Sequence, residues 1–276
     1  MISCFADEIS PLLSDQLNML NELDIETMEL RSMWGVNVLE LSALQLKDIA
    51  QTVHSAGKSI SCISSPIGKC PYHYPMEETA KQLAVAIAAA QICDCSRIRI
   101  FSWQVEENER TEKTIYETAE RLKTLTDMAS SEGMYLVMEN SAVGTGNTGE
   151  NCAKLVELVN SPHLSVAFDP ASFVCAGERP FDQSYPAVKD YVGYVHIKDV
   201  KKGEDRRTVA GEGDGQLPEL IREFAKNPEL CLSLEPHLSY FGHAGGFSGP
   251  DNFRKAHFAL KKYLNVFQKE TNYGKN

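Results

Sequence analysis

The chain has 276 residues, 43% of them hydrophobic, and a formal net charge of −11; that is enough apolar material for one large core, and a field that repels nucleic-acid phosphates. Only "KDVKKGEDRR" at 198–207 concentrates bases, and acids interrupt it. The start "MISCFADEIS" has no basic stretch, the longest apolar run (83–92) is too short to span a bilayer, and the eight cysteines form no CxxC pair, which together predict a cytoplasmic, non-membrane protein with reduced thiols.

Taken in chain order, short apolar runs at 2–5, 27–31, 59–64, 97–101, 135–140, 165–169, 193–198 and 230–235 read as strands. Helical patterns fill the gaps at 11–23, 43–56, 76–93, 109–131, 150–159, 185–191, 217–226 and 251–267. Ser10 before Pro11 and Ser184 before 185 read as helix starts, and Gly57 and Gly133 as stops. Strand then helix, repeated, implies parallel strands joined by right-handed crossovers. Eight repeats predict an α/β fold, a single-domain (β/α)8 TIM barrel over residues 1–276. A doubly wound open sheet would carry a glycine-rich phosphate turn after its first strand, and none is present.

Four consecutive strands end on ligand-type residues: Glu139 in "YLVMENS", Asp169 in "LSVAFDP", His196 in "VGYVHIKDV" and Glu235 in "LCLSLEPH". Strand alternation puts Val137 with Glu139, Ala167 with Asp169, and Ser233 with Glu235 on one face, while Leu136, Met138, Phe168, Leu232 and Leu234 take the greasier outward face. In a barrel these ends are neighbours around the mouth. Three carboxylates crowded there would repel one another, and a divalent cation removes the conflict. Three oxygen donors and one imidazole suit Mn²⁺, Mg²⁺, Co²⁺ or Zn²⁺.

On these residues the sequence resembles the xylose isomerase-like barrels, specifically the sugar phosphate isomerase/epimerase branch, which is related to endonuclease IV. Glu139 in "VMEN", Asp169 in "FDP", His196 in "HIKD" and Glu235 in "LEPH" stand in that family's metal-ligand order, and "GEGDG" at 211–215 extends the similarity. The resemblance implies one bound divalent ion, Mn²⁺ favoured, held by Glu139, Asp169, His196 and Glu235. It implies a small-molecule sugar substrate and a homodimer. It also implies a second role for the glutamates: one removes a proton beside a carbonyl and the other returns it, giving an epimer or an aldose–ketose isomer. Many ketose epimerases carry a histidine three residues after the metal aspartate and an arginine six after the metal histidine; here Ser172 and Lys202 stand in those places.

Further substrate contacts are expected from Lys198, Arg31, Glu29, His237, Glu212, Lys69 and Trp34, while an internal ion pair involving Arg99 is the competing account of Glu29 and Arg31. His73, in the loop after the third strand, has the weaker claim of an ordinary loop residue. The function expected is a metal-dependent isomerase or epimerase of a small sugar or keto-polyol. A lyase dehydrating a keto-polyol through the same enediolate is the alternative. Phosphodiester cleavage of the endonuclease IV kind would need more histidines than the seven dispersed here.

Overall fold

The computed structural model describes residues 1–204, 206–242 and 245–273. Its eight parallel strands are β1 (Ile2–Cys4), β2 (Thr27–Leu30), β3 (Ser59–Ser64), β4 (Arg97–Phe101), β5 (Tyr135–Glu139), β6 (Leu164–Phe168), β7 (Val192–Ile197) and β8 (Cys231–Leu234). From β2 to β8 each strand pairs with the next, β1 pairs with β8, and a single bridge between Phe5 and Glu29 closes the ring at β2. The barrel predicted from the alternation is therefore present, with all eight strands where the sequence places them.

Alternation sorts the side chains into two layers. Cys62, Val137, Ala167, Tyr194 and Cys231 fill the barrel interior. Leu136, Met138, Phe168, Val195, Ile197, Leu232 and Leu234 face outward into the main core, under the helices. Two extra residues interrupt the alternation, Ser61 in β3 and Gly193 in β7. Ser61 turns inward and links Ser3 (2.7 Å) to the Tyr194 hydroxyl (2.9 Å), a polar floor beneath the mouth. Gly193 is required at its bulge because a Cβ there would collide with Ser165.

The outer layer comprises α1 (Leu13–Glu22), α2 (Ala43–Ser55), α3 (Met76–Ile92), α4 (Glu112–Ser131), α5 (Gly149–Val159), the short α6 (Pro170–Cys175) and α7 (Tyr185–Val188), α8 (Leu217–Phe224) and α9 (Pro250–Tyr273). In α4 the buried Ile115, Thr118, Ala119, Leu122, Leu125, Thr126 and Ala129 recur every three or four residues, the stripe that seats a helix on a sheet. Gly57 and Gly133 take positive φ after α2 and α4, as expected of helix stops.

The two serines expected as helix starts act otherwise. The α1 helix begins at Leu13, and the Ser10 hydroxyl accepts from Leu12 N and donates to Asp15. The Ser184 hydroxyl donates to Glu178, and the segment expected as one helix at 185–191 is α7 followed by a 3-10 turn. Helix α6 was not anticipated, although "DPAS" carries its signal: Asp169 accepts from Ser172 N as the cap, and Pro170 opens the first turn. All eight cysteines are free. Among the described residues no helix is long and apolar enough to cross a membrane.

Candidate active site

The C-terminal ends of the strands surround a cavity of about 160 Å³, whose wall includes Arg31, Lys69, Arg99, Phe101, Glu139, Ser172, Lys198, Glu235 and His237. That volume is close to a cavity that holds one benzene ring, so it suits a small metabolite. The side chains that matter are almost fully buried: His196 and Asp169 have no exposed surface, and Glu139, Glu235 and Lys198 very little.

Glu139 from β5, His196 from β7 and Glu235 just after β8 converge, with one ligand atom from each lying within 4.8 Å of the others. His196 Nδ1 is 3.4 Å from both Glu139 Oε1 and Glu235 Oε2. Neither His196 Nδ1 nor Glu235 Oε2 has a hydrogen bond of good geometry among the described residues. Buried polar atoms are rarely left so. A nitrogen and two carboxylate oxygens this close together are a donor set for a divalent cation, so these residues fit one. The other face of the imidazole is backed by Glu29, whose Oε1 is 3.4 Å from Nε2 and whose Oε2 accepts from Ser64. A carboxylate behind a ligand histidine sets its tautomer and orientation.

Asp169 joins this group through a lysine. Lys198 Nζ lies 2.9 Å from Asp169 Oδ2, 2.8 Å from Glu235 Oε2 and 3.6 Å from Glu139 Oε1. The Asp169 carboxylate also receives Ser172 N (3.1 Å) and Ser172 Oγ (2.7 Å), and Asn140 clamps its backbone. Ser172, which stands where many ketose epimerases are expected to carry a histidine, thus supports Asp169 from the cavity wall.

Each rim glutamate has its own cations. Arg99 Nη1 holds Glu139 Oε2 at 3.0 Å, and the guanidinium is anchored on the Ser64 and Ser65 carbonyls. Glu235 Oε1 receives Arg31 Nη1 (3.2 Å) and His237 Nε2 (3.1 Å). Arg31 is itself gripped by both oxygens of Asp7 at 2.8 and 3.0 Å, and His237 Nδ1 by Glu8 Oε1 at 2.7 Å. Glu8, Glu235 and His237 also meet the distance test for a metal site, but there the imidazole nitrogens sit at ion-pair distances of 2.7 and 3.1 Å from their carboxylates, against 3.4 Å around His196. Glycines lie against both bases. A Cβ at Gly246 would collide with the His237 ring, and one at Gly245 would press on the Arg31 guanidinium.

These contacts set the charge states. Burial alone would raise the carboxyl of Glu235, yet Lys198 and His237 hold it well below the usual range; for Glu139 the same burial is overcome by His196, Lys198 and Arg99. Burial works against the charged form of His196, but Glu139 and Glu29 push it up to about 10. Lys198 is raised in the same way, burial being outweighed by Asp169, Glu235 and Glu139. Without another cation the imidazole is therefore held charged, and a metal ion must displace its proton.

The other expected contacts fall into two groups. Lys69 reaches the mouth, its ammonium 5.6 Å from the Phe101 ring centre, and Arg31 and His237 line the cavity while holding Glu235. Glu29 is corrected to a supporting residue, since it is buried behind His196 and pairs with neither Arg31 nor Arg99. Glu212 is exposed in a groove beside Lys262 and Tyr263, away from the mouth. The reason is Asp199, which accepts from the backbone of Gly211, Gly213 and Gly215 and ties the "GEGDG" loop down. Trp34 sits exposed at the tip of a hairpin (Ser32–Met33 with Val36–Asn37) and is not part of the cavity wall. His73 and Lys202 line separate surface grooves. Asp7 and Glu8, which brace Glu235 through its bases, were missed; the rule that strand ends carry the site, applied to "ISCFADE" after β1, would have found them.

The profile of the family described as xylose isomerase-like TIM barrels matches residues 17–263. No curated protein is significantly similar to the sequence. Among solved structures, the probable 3-DHS dehydratase of Bacillus anthracis involved in petrobactin synthesis is 17% identical, covers 94% of this chain and 98% of its own, and superposes with a TM-score of 0.75. An L-ribulose 3-epimerase is 15% identical over 100% of this chain and 97% of its own, with a TM-score of 0.76. The IOLI protein, solved with a bound zinc atom, is 16% identical over 97% and 99%, also at 0.76. At these identities the likeness is one of fold.

Proposed function

Because the chain belongs to the family of xylose isomerase-like TIM barrels, we propose that it is a divalent-cation-dependent isomerase or epimerase of a small sugar or keto-polyol. The observation that carries this reading is the meeting of ligand atoms of Glu139, His196 and Glu235 within 4.8 Å of one another, at the wall of a small cavity that both glutamates line. Glu139, His196 and Glu235 would hold the ion, with Asp169 as the fourth ligand, and Mn²⁺ is the ion favoured. When bound, such an ion supplies Lewis-acid polarisation of the substrate carbonyl.

The remaining chemistry belongs to the side chains. Arg99 engages Glu139 Oε2, so Glu139 takes the proton from the carbon beside the carbonyl through the lone pair of Oε1 that the ion would leave free. Glu235, which rests ionised, takes up a proton from solvent and returns it from the other side of the mouth, while Glu139 releases its own to solvent. Return to the same carbon gives an epimer; return to its neighbour gives an aldose–ketose isomer. Lys69, at the cavity wall, meets substrate hydroxyls, and Phe101 forms an apolar wall. A homodimer in the cytoplasm completes the reading.

The test is solvent deuterium exchange with a panel of ketopentoses, ketohexoses and keto-polyols in the presence of Mn²⁺. Exchange at the carbon beside the carbonyl is expected for the wild type and is abolished in Glu139→Gln and in Glu235→Gln. Undiminished exchange in both variants overturns the assignment. The dehydratase among the structural neighbours supports a second reading, a lyase sharing the first proton abstraction; a product lighter by one water identifies it.

A further inference from the structure

The oxygens that suit a divalent ion are those an ammonium already contacts. Glu235 Oε1 is taken by Arg31 and His237, Glu139 Oε2 by Arg99, and Asp169 Oδ1 by Ser172 N. What remains of the three carboxylates toward the centre is Glu235 Oε2, Glu139 Oε1 and Asp169 Oδ2, the last also receiving the Ser172 hydroxyl. Lys198 Nζ reaches these same three atoms, at 2.8, 3.6 and 2.9 Å. Two of them are also the oxygens that face His196 Nδ1. An ammonium and a divalent ion drawn to these same oxygens repel each other at close range, so the two compete for them.

We propose that Lys198 is a tethered cation that holds the carboxylate cage together before the metal arrives and is displaced from Glu235 when a divalent ion binds. The inference rests on the proposed reading of the rim as a divalent-cation site. It explains why three buried carboxylates can stand together in a folded chain without an ion, since an unpaired buried charge is strongly destabilising. It also means that metal affinity is set partly by a competitor built into the chain. Once displaced, the ammonium remains at the cavity wall, where Lys198 already has its place.

The experiment is calorimetric titration of metal-free protein with Mn²⁺, comparing wild type with Lys198→Met, Lys198→Gln and His196→Gln. The Lys198 variants are expected to bind Mn²⁺ at least tenfold more tightly than wild type, and His196→Gln at least tenfold more weakly. Wild-type protein labelled with ¹³C-lysine gives a reading independent of any variant: one lysine signal shifts on adding diamagnetic Zn²⁺, with the midpoint of Zn²⁺ binding. Equal or weaker Mn²⁺ binding by both Lys198 variants, or lysine signals unmoved at saturating Zn²⁺, overturns the displacement while leaving the metal site standing. Absence of Mn²⁺ binding in the wild type, or binding unaffected by His196→Gln, overturns the metal reading and the displacement with it.

Discussion

The two glutamates at the rim share a cavity and a lysine, yet they are held in different ways. Glu235 is braced by two chains of acid, base and acid, Asp7–Arg31–Glu235 and Glu8–His237–Glu235, both converging on Oε1. Glu139 has one guanidinium, and Arg99 is anchored on neutral carbonyls instead of a second carboxylate. Glycines 245 and 246 close over the Glu235 bases. The lesson is one of division of labour: both acids rest ionised, Glu235 is the more firmly fixed, and Glu139 is the better placed to take the first proton through Oε1.

The largest effect that can break this comparison is on stability. Arg31→Met takes the guanidinium from half-buried Asp7, which keeps the Ser32 hydroxyl, and from buried Glu235, which keeps Lys198 and His237, and is expected to cost about 3–5 kcal/mol. Arg99→Met strands Glu139 alone, with Lys198 still 3.6 Å away, and about half that loss is expected. Urea denaturation of the metal-free proteins measures both, and equal losses would mean that the two sides are braced alike.

A smaller effect sharpens the account at the imidazole between the two sides. His196 is raised to about 10 in the folded protein, burial being outweighed by Glu139 and Glu29, against about 6.5 when unfolded. A raised basic group stabilises fully below its unfolded value and loses that contribution as pH rises through the folded one. Metal-free protein should therefore lose about 4 kcal/mol between pH 6.5 and 10 beyond what His196→Gln loses. Denaturant titrations of both across that range check it, and parallel pH profiles would place the charge elsewhere.

Much of this was legible in the residues. Period-two runs located the eight strands because each is apolar on at least one face and bounded by helical pattern. The same parity put Glu139, His196 and Lys198 inside the barrel, since a strand fixes the side of every residue once one is known. Loops carry no such period. Glu212 and Trp34 were therefore placed at the mouth by chemistry alone, whereas the hold of Asp199 on three glycine N–H groups and the hairpin at 32–37 take them away. Long-range bracing was equally hidden. Glu8 and His237 are 229 positions apart and meet only because β1 pairs with β8. Asp169 was read as a metal ligand, and its Asp-Pro start also caps α6, so one residue serves two signals.

The most direct test of the central claim is anomalous diffraction from crystals equilibrated with Mn²⁺. One strong anomalous peak is expected within bonding distance of His196 Nδ1, Glu139 Oε1 and Glu235 Oε2. Crystals at saturating Mn²⁺ with no peak among those atoms, or with the ion seated at another part of the surface, would contradict it.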